Sequence, residues 1–176
     1  MRKCTQKSLY NKAVFYLSRY ASSSENLRSI LEKKVLKAKQ QGQDISLEEA
    51  SPWIDDILMK MVQLGYLDDD RYSASKVRTL LESGKSSRFI QMKLRQKGLS
   101  EEQITEAFAE YEEENGVAAD ETDLKNAVRL VRKKRIGFLR PQEERASFYQ
   151  KDMAALARAG FSFETAQKAL NGEEDD

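Results

Sequence analysis

No histidine occurs anywhere in the 176 residues. That absence removes Ser-His-Asp and Cys-His triads, histidine-based metal sites and the commonest general acid–base group together. A single cysteine, Cys4, excludes an intramolecular disulfide and any cysteine-cluster metal site. A reducing cytoplasm is then the simplest home, with the thiol a bystander in a loose N-terminal segment. Two prolines and eight glycines leave few obligatory breaks in a helical chain. No apolar run approaches the roughly 20 residues of a membrane helix, and the N-terminus lacks the apolar core of a signal peptide. No glycine-rich loop leads into Lys-Ser or Lys-Thr, so a P-loop ATPase is excluded. Carboxylates are plentiful, but they sit in runs such as Glu112-Glu113-Glu114 and Asp68-Asp69-Asp70. Such runs suit solvated helix faces or linkers, and their spacing matches no calcium or magnesium loop. The expectation is a binding protein: not an enzyme, with no cofactor and no metal.

What the chain does have is charge sorted by position. Met1 to Gln43 carries 10 Lys and Arg against 2 acids, Asp44 to Asp70 carries 8 acids against 1 Lys, and Arg71 to Gly98 carries 8 bases against 1 Glu. Leu99 to Leu124 holds 10 acids and no base, and Lys125 to Lys168 holds 11 bases against 4 acids. The overall +1 is therefore cancellation, not absence of charge. A near-neutral protein with segregated charge still presents basic surfaces to a polyanion or an acidic partner. The alternation also signals an internal repeat.

Apolar residues recur at helical spacing nearly throughout, and no segment shows the alternation of a strand. Leu9, Ala13 and Leu17 form one stripe. Leu27, Ile30, Leu31 and Val35 form a second, opened by a Ser22–Glu25 capping box. Ile54, Ile57, Leu58 and Met61 form a third, with Pro52 near its first turn or a start at the Ser46–Glu49 capping box. A second group starts near Asp69-Asp70 and contains Val77 and Leu81. Ser86 or Ser87 then caps a helix with Ile90 and Leu94, and Ser100 opens one with Ile104, Ala107 and Phe108. A third group holds Leu124 to Val131, Tyr149 to Leu156 and Phe163 to Leu170, with Asp120 or Thr122, Pro141 and Ser162 as starts. Lys97-Gly98-Leu99-Ser100 recurs as Ala159-Gly160-Phe161-Ser162, 62 positions on. Ser24, Leu27, Leu31 and Lys34 likewise match Ser87, Ile90, Leu94 and Lys97 at an offset of 63. Linkers are expected at Lys39 to Ile45 and Glu112 to Glu121.

The fold expected is all-α: an elongated tandem array of three three-helix repeats, with a right-handed or curved superhelical arrangement open to it. The repeats are 1–68, 69–112 and 120–172, followed by an acidic tail at 173–176. A compact globular bundle is the alternative, which hydrophobic stripes alone do not separate. Tyr66, Leu67 and Tyr72 around the acidic turn are expected to lock two repeats together, and Trp53 to anchor packing.

The cations share helices with the apolar stripes. Arg28, Lys33, Lys34, Lys37 and Lys39 lie in the first group. Arg71, Arg78, Arg88, Lys93, Arg95 and Lys97 lie in the second, and Arg132, Lys133, Lys134 and Arg135 in the third. Several such helices on one face would neutralise successive phosphates and bind with a steep salt dependence. The alternative is that each cation is solvated and pairs with acids of the third helix of its group. Phe15, Tyr16, Tyr20 and Phe89 have the rings to stack on bases, but their helical spacing equally suits a core.

The stretch Leu64-Gly65-Tyr66-Leu67-Asp68-Asp69-Asp70-Arg71-Tyr72, followed by Ser87-Arg88-Phe89-Ile90-Gln91-Met92-Lys93-Leu94-Arg95-Gln96-Lys97-Gly98-Leu99-Ser100, resembles the central signature of the RecX regulatory proteins. Ala13 to Leu31 is similar to the first repeat of that family, and Ala159-Gly160-Phe161-Ser162 to Leu170 to the end of its third. The likeness runs from about residue 8 to 171. The resemblance implies three three-helix repeats that lodge in the groove of the RecA–DNA filament, inhibit its ATPase and strand exchange, and so modulate recombination and the DNA-damage response. It also implies DNA, single- or double-stranded, as a further partner; the chain is expected to be a cytoplasmic monomer away from membranes. The expected contacts are Arg28, Lys33, Lys34, Arg71, Arg78, Arg88, Lys93, Arg95, Lys97, Arg132, Lys133, Lys134 and Arg135. A stand-alone helical nucleic-acid-binding protein is the competing reading.

Overall fold

Polar caps start most of the helices and left-handed turns stop them. The computed structural model describes residues 3–173, and among them are nine α-helices, one 3-10 turn and no strand. The helices are α1 (Gln6–Leu17), α2 (Ser24–Gln40), α3 (Leu47–Gln63), α4 (Asp69–Glu82), α5 (Ser87–Arg95), α6 (Glu101–Asn115), α7 (Ala119–Lys134), α8 (Gln142–Arg158) and α9 (Phe163–Asn171). The fold is all-α, with its helices in three successive groups of three. Of the acidic tail, 174–176 lie outside the described residues.

The chain divides into two compact units. One takes residues up to Tyr72 together with Lys97–Ser100, the other Ser73–Gln96 together with residues from Glu101 onward. In the first, α1, α2 and α3 bury Leu9, Ala13, Leu27, Leu31, Val35, Ile54, Ile57 and Met61 in one cluster. Each fully buried Leu or Ile contributes about 1.5–3 kcal/mol. Trp53 packs against this cluster. Helix α3 begins at the Ser46–Glu49 capping box, with bonds of 3.1 and 2.8 Å, so Pro52 falls inside it. In the second unit, Leu124, Ala127, Val128, Val131, Leu156, Phe161, Ala166 and Leu170 form the corresponding cluster around α7, α8 and α9.

Several starts differ from the sequence expectation. Ser23, not Ser22, caps α2, accepting from the Asn26 amide at 3.3 Å, while the Ser22 hydroxyl donates to the Ser23 carbonyl. The capping box expected between Ser22 and Glu25 therefore does not form. At α4 the cap is Asp68, whose Oδ1 accepts from the Arg71 amide at 2.9 Å, so Asp69 is the first helical residue. Helix α7 starts at Ala119 behind Ala118, which has no side-chain cap. The linker expected over Glu112 to Glu121 shrinks to Gly116-Val117-Ala118 between α6 and α7. Nor is Cys4 in a loose segment, since its amide donates to Gln43 Oε1 at 2.7 Å. Leu67 and Tyr72 are buried, whereas Tyr66 is 60% exposed.

The same joint is built twice. In the first unit, Ser23 caps α2 and its hydroxyl donates to the Lys97 carbonyl at 2.5 Å, while the Ser24 amide donates to Asp69 Oδ1 at 2.7 Å. In the second, Ser86 caps α5 and donates to the Ala159 carbonyl at 2.8 Å, while the Ser87 amide donates to Asp123 Oδ1 at 2.8 Å. The second helix of one group is thus seated on the first helix of the next group and on its last corner. Glycine is required where the corner approaches. A Cβ at Gly98 would lie 2.3 Å from Glu25 Cβ, and one at Gly160 would lie 2.5 Å from Ser86 Oγ. Asn126 reinforces the second joint by donating to the Leu81 carbonyl at 2.9 Å, which the Gly84 amide also reaches, and to the Lys85 carbonyl at 3.3 Å.

The ends of α3, α4 and α7 share one pattern. After α3 and α4, Gly65 and Gly84 are left-handed, and the next amides, of Tyr66 and Lys85, return to Met61 and Leu80. After α7 the same bond, from the Ile136 amide to Val131, is made with Arg135 in the left-handed position at φ 53°. Beyond it, a 3-10 turn (Gly137–Leu139) is held by Asp152, which is 3% exposed. Asp152 takes a bidentate pair from Arg140 at 2.7 and 2.9 Å and the Gly137 amide at 3.0 Å.

Candidate functional site

Helices α2, α4 and α5, the corner after α5, and the end of α7 carry the cations expected to make contact. On α2, Arg28 is committed within the chain, to Asp55 of α3 at 2.5 Å and to Glu25 at 3.6 Å. Lys33 is exposed. Lys34 is half-buried and its ammonium donates to the Ser8 carbonyl of α1. Burial holds the Lys34 ammonium below the usual lysine range; Cys4 opposes that shift and the neighbouring Lys12 adds to it. Lys34 and Lys37 border a groove between α1 and α2 that Lys3 and Lys12 also line.

In the middle group Arg71 and Arg78 project from α4. Arg71 is exposed, whereas Arg78 pairs with Glu114 of α6. On α5, Arg88 and Arg95 are seven positions apart and share a face at 3.6 residues per turn. Arg95 pairs with Glu101, its second nitrogen at 2.7 Å, which pulls the Glu101 carboxyl below its ordinary range. Lys93 lies about 140° around the helix from Arg88, with its ammonium 5.6 Å from the Phe89 ring, and Lys85 reaches the same ring at 5.5 Å. Lys97 donates to Asn26 Oδ1 at 2.9 Å. On α7, Arg132, Lys133 and Lys134 are exposed at successive 100° steps, so they do not share one face. Arg135 leaves the helix at its left-handed turn.

The expected set therefore sorts in two. Arg28, Arg78 and Arg95 pair with acids of their group's third helix, which is the bland role for them. Lys33, Arg71, Arg88, Lys93, Lys133, Lys134 and Arg135 present charge to solvent without an ion pair among the described residues. Sequence reasoning passed over Lys3 and Lys12. The signal that marks the latter is Lys12, Phe15 and Arg19 at i, i+3 and i+7, a cation–aromatic–cation stripe on α1. Phe15 and Tyr20 are 52% and 58% exposed, so neither belongs to the core.

These elements define a class: a helical repeat protein, three helices to a repeat, with solvent-facing cations on α2, α4, α5 and α7 and no three or more acids or cysteines grouped to hold a metal among the described residues. A family model described as RecX, second three-helix domain, matches residues 68–107. The chain is 36% identical over 173 residues to a regulatory protein RecX of Myxococcus xanthus, covering 97% of this chain and 88% of that one. It is 29% identical over 160 residues to a regulatory protein RecX of Agrobacterium fabrum, covering 91% and 80%. A crystal structure of a regulatory protein RecX superposes with a TM-score of 0.67 at 25% identity, over 93% of this chain and 72% of that one. The chain belongs to the RecX family of regulatory proteins.

Proposed function

We propose that this chain regulates the RecA recombinase. It binds in the groove of the RecA–DNA filament and inhibits ATP hydrolysis and strand exchange, modulating recombination and the DNA-damage (SOS) response. It does so as a cytoplasmic monomer built of repeats at 1–68, 69–112 and 120–172. Lys33, Lys34, Arg71, Arg88, Lys93, Lys97, Lys133, Lys134 and Arg135 contact the filament or its DNA, while Arg28, Arg78, Arg95 and Arg132 flank them.

The observation that carries this reading is family membership joined to unpaired cations on helices from all three groups. A filament of recombinase on DNA is a polyanion with a protein coat, and such a set of cations suits it. Each phosphate neutralised on a single strand lowers the salt slope of log K by about 0.7. Binding to the filament should therefore weaken steeply as salt is raised.

The deciding experiment is DNA-dependent ATP hydrolysis by the recombinase as this protein is titrated in. The expected result is a progressive fall in rate at substoichiometric ratios. A flat response up to excess, with tight binding to bare DNA, would replace this reading with a stand-alone nucleic-acid-binding protein.

A further inference from the structure

The groove between α1 and α2 differs in charge from two other concave surfaces among the described residues. It encloses about 540 Å³ and is lined by Lys3, Lys12, Lys34 and Lys37, with no carboxylate among its described lining residues. Other concave surfaces mix signs: one on the far side of α1 is lined by Lys7 and Lys60 with Asp56, and one along α5 and α6 by Arg95 with Glu101, Glu112 and Asp120. Phe15 lines the groove with half its surface in solvent, and the Arg19 guanidinium lies 4.2 Å from its ring centroid. The walls are fixed in place. The Cys4 amide is bonded to Gln43 at one end, and Lys34 bridges from α2 to the Ser8 carbonyl of α1. Four like charges converge here without an acid, in a setting where Lys34 is already disfavoured as a cation. An anionic ligand relieves that crowding.

We infer that this groove binds a segment of single-stranded nucleic acid, its phosphodiesters against Lys12, Lys34 and Lys37 and one base stacked on Phe15 and the Arg19 plane. Phosphates alone would explain the lysines. The exposed ring flanked by a guanidinium is what selects a strand with unpaired bases over a duplex or an acidic peptide. The inference rests on the proposed function in placing nucleic acid within reach, and it locates that contact in the first repeat instead of on α5 or α7.

The test is fluorescence anisotropy of a labelled oligothymidylate with the full chain, across a salt series. Phe15→Ala should weaken binding about tenfold at unchanged salt slope, and Phe15→Trp should restore it. Lys12→Gln with Lys37→Gln should reduce the magnitude of the slope by about 1.4. Absent binding by the wild type, or affinity and slope untouched by both sets of variants, overturns the inference. So does displacement by polyglutamate as effective as by unlabelled oligonucleotide, with Phe15→Ala indifferent, because the groove then takes an acidic protein segment. Recombinase ATPase inhibition, measured in parallel, separates the two claims. Inhibition with groove variants indifferent to oligonucleotide removes only the groove, and variant-sensitive oligonucleotide binding without inhibition supports the groove and removes the regulator.

Discussion

Replacing Ser86 by Ala tests whether the repeated joint holds the helical groups together. Its hydroxyl is fully buried, accepts from the Phe89 amide at 3.2 Å and donates to the Ala159 carbonyl at 2.8 Å. Loss of the cap costs about 1 kcal/mol. Leaving the Ala159 acceptor without its donor adds about 1–2 kcal/mol. The expected total of about 2–3 kcal/mol lowers Tm by roughly 5–10 °C for a chain of this size. Gly160→Ala should be at least as damaging, since the added methyl meets Ser86 Oγ at 2.5 Å on a backbone at φ +90°. Combining the two removes the oxygen that the methyl strikes, so the double variant should be less destabilised than the sum by about 1 kcal/mol. Urea unfolding followed by circular dichroism, with m-values fitted freely, reads all three. A Ser86→Ala loss below about 0.5 kcal/mol, or strict additivity with Gly160→Ala, would refute the joint as described.

Three further outcomes follow from particular side chains. Reversing Arg88, Lys93 and Lys97 to Glu should leave helicity intact and weaken inhibition of the recombinase ATPase by at least tenfold; unchanged inhibition removes α5 from the contact surface. Arg135→Gly should raise stability by up to about 1 kcal/mol in urea, because Arg135 is a left-handed non-glycine residue; a loss instead would show that its side chain holds α7 in place. Asp152 is held below the usual carboxylate range, first by the Arg140 hydrogen bond. Its contribution is therefore fully present above the unfolded value of about 3.9 and lost as pH falls through the depressed folded value. Asp152→Asn should flatten the stability profile in that acid window, which thermal melts across pH would reveal; a profile parallel to wild type contradicts the assignment.

Local rules made much of this molecule readable. The stripes Leu27–Leu31–Val35 and Ile104–Ala107–Phe108 are buried faces, Ser162 caps α9, and the Gly98 and Gly160 corners stand where internal similarity put them. What escaped depends on partners far along the chain. Ser23 displaces Ser22 as a cap because its hydroxyl also reaches Lys97, 74 positions away. Asp69 reads as a local helix start and Asp123 carries no local signal, yet they accept from amides 45 and 36 residues distant. Burial pushes the Asp123 carboxyl up against the pull of its Ser87 bonds. Pro52 sits inside α3 because the Ser46–Glu49 box starts that helix earlier than the proline suggests. The basic groove was hidden because Lys3 and Lys12 meet Lys34 and Lys37 only once α1 lies beside α2.

Helix α2 has 17 residues where its counterpart α5 has 9. Aligned from their serine caps, the surplus is Lys33 to Gln40, and it contains Lys33, Lys34, Lys37 and Lys39. All of it lies at the opposite end of α2 from the serine cap that is bolted to the following repeat, and there Val35 and Ala38 are buried in the first cluster while Lys33, Lys37 and Lys39 are exposed. The cationic strength of those three positions is therefore free to drift, or to be redesigned, with the fastening untouched; surface charge and architectural integrity are inherited through separate positions of one helix.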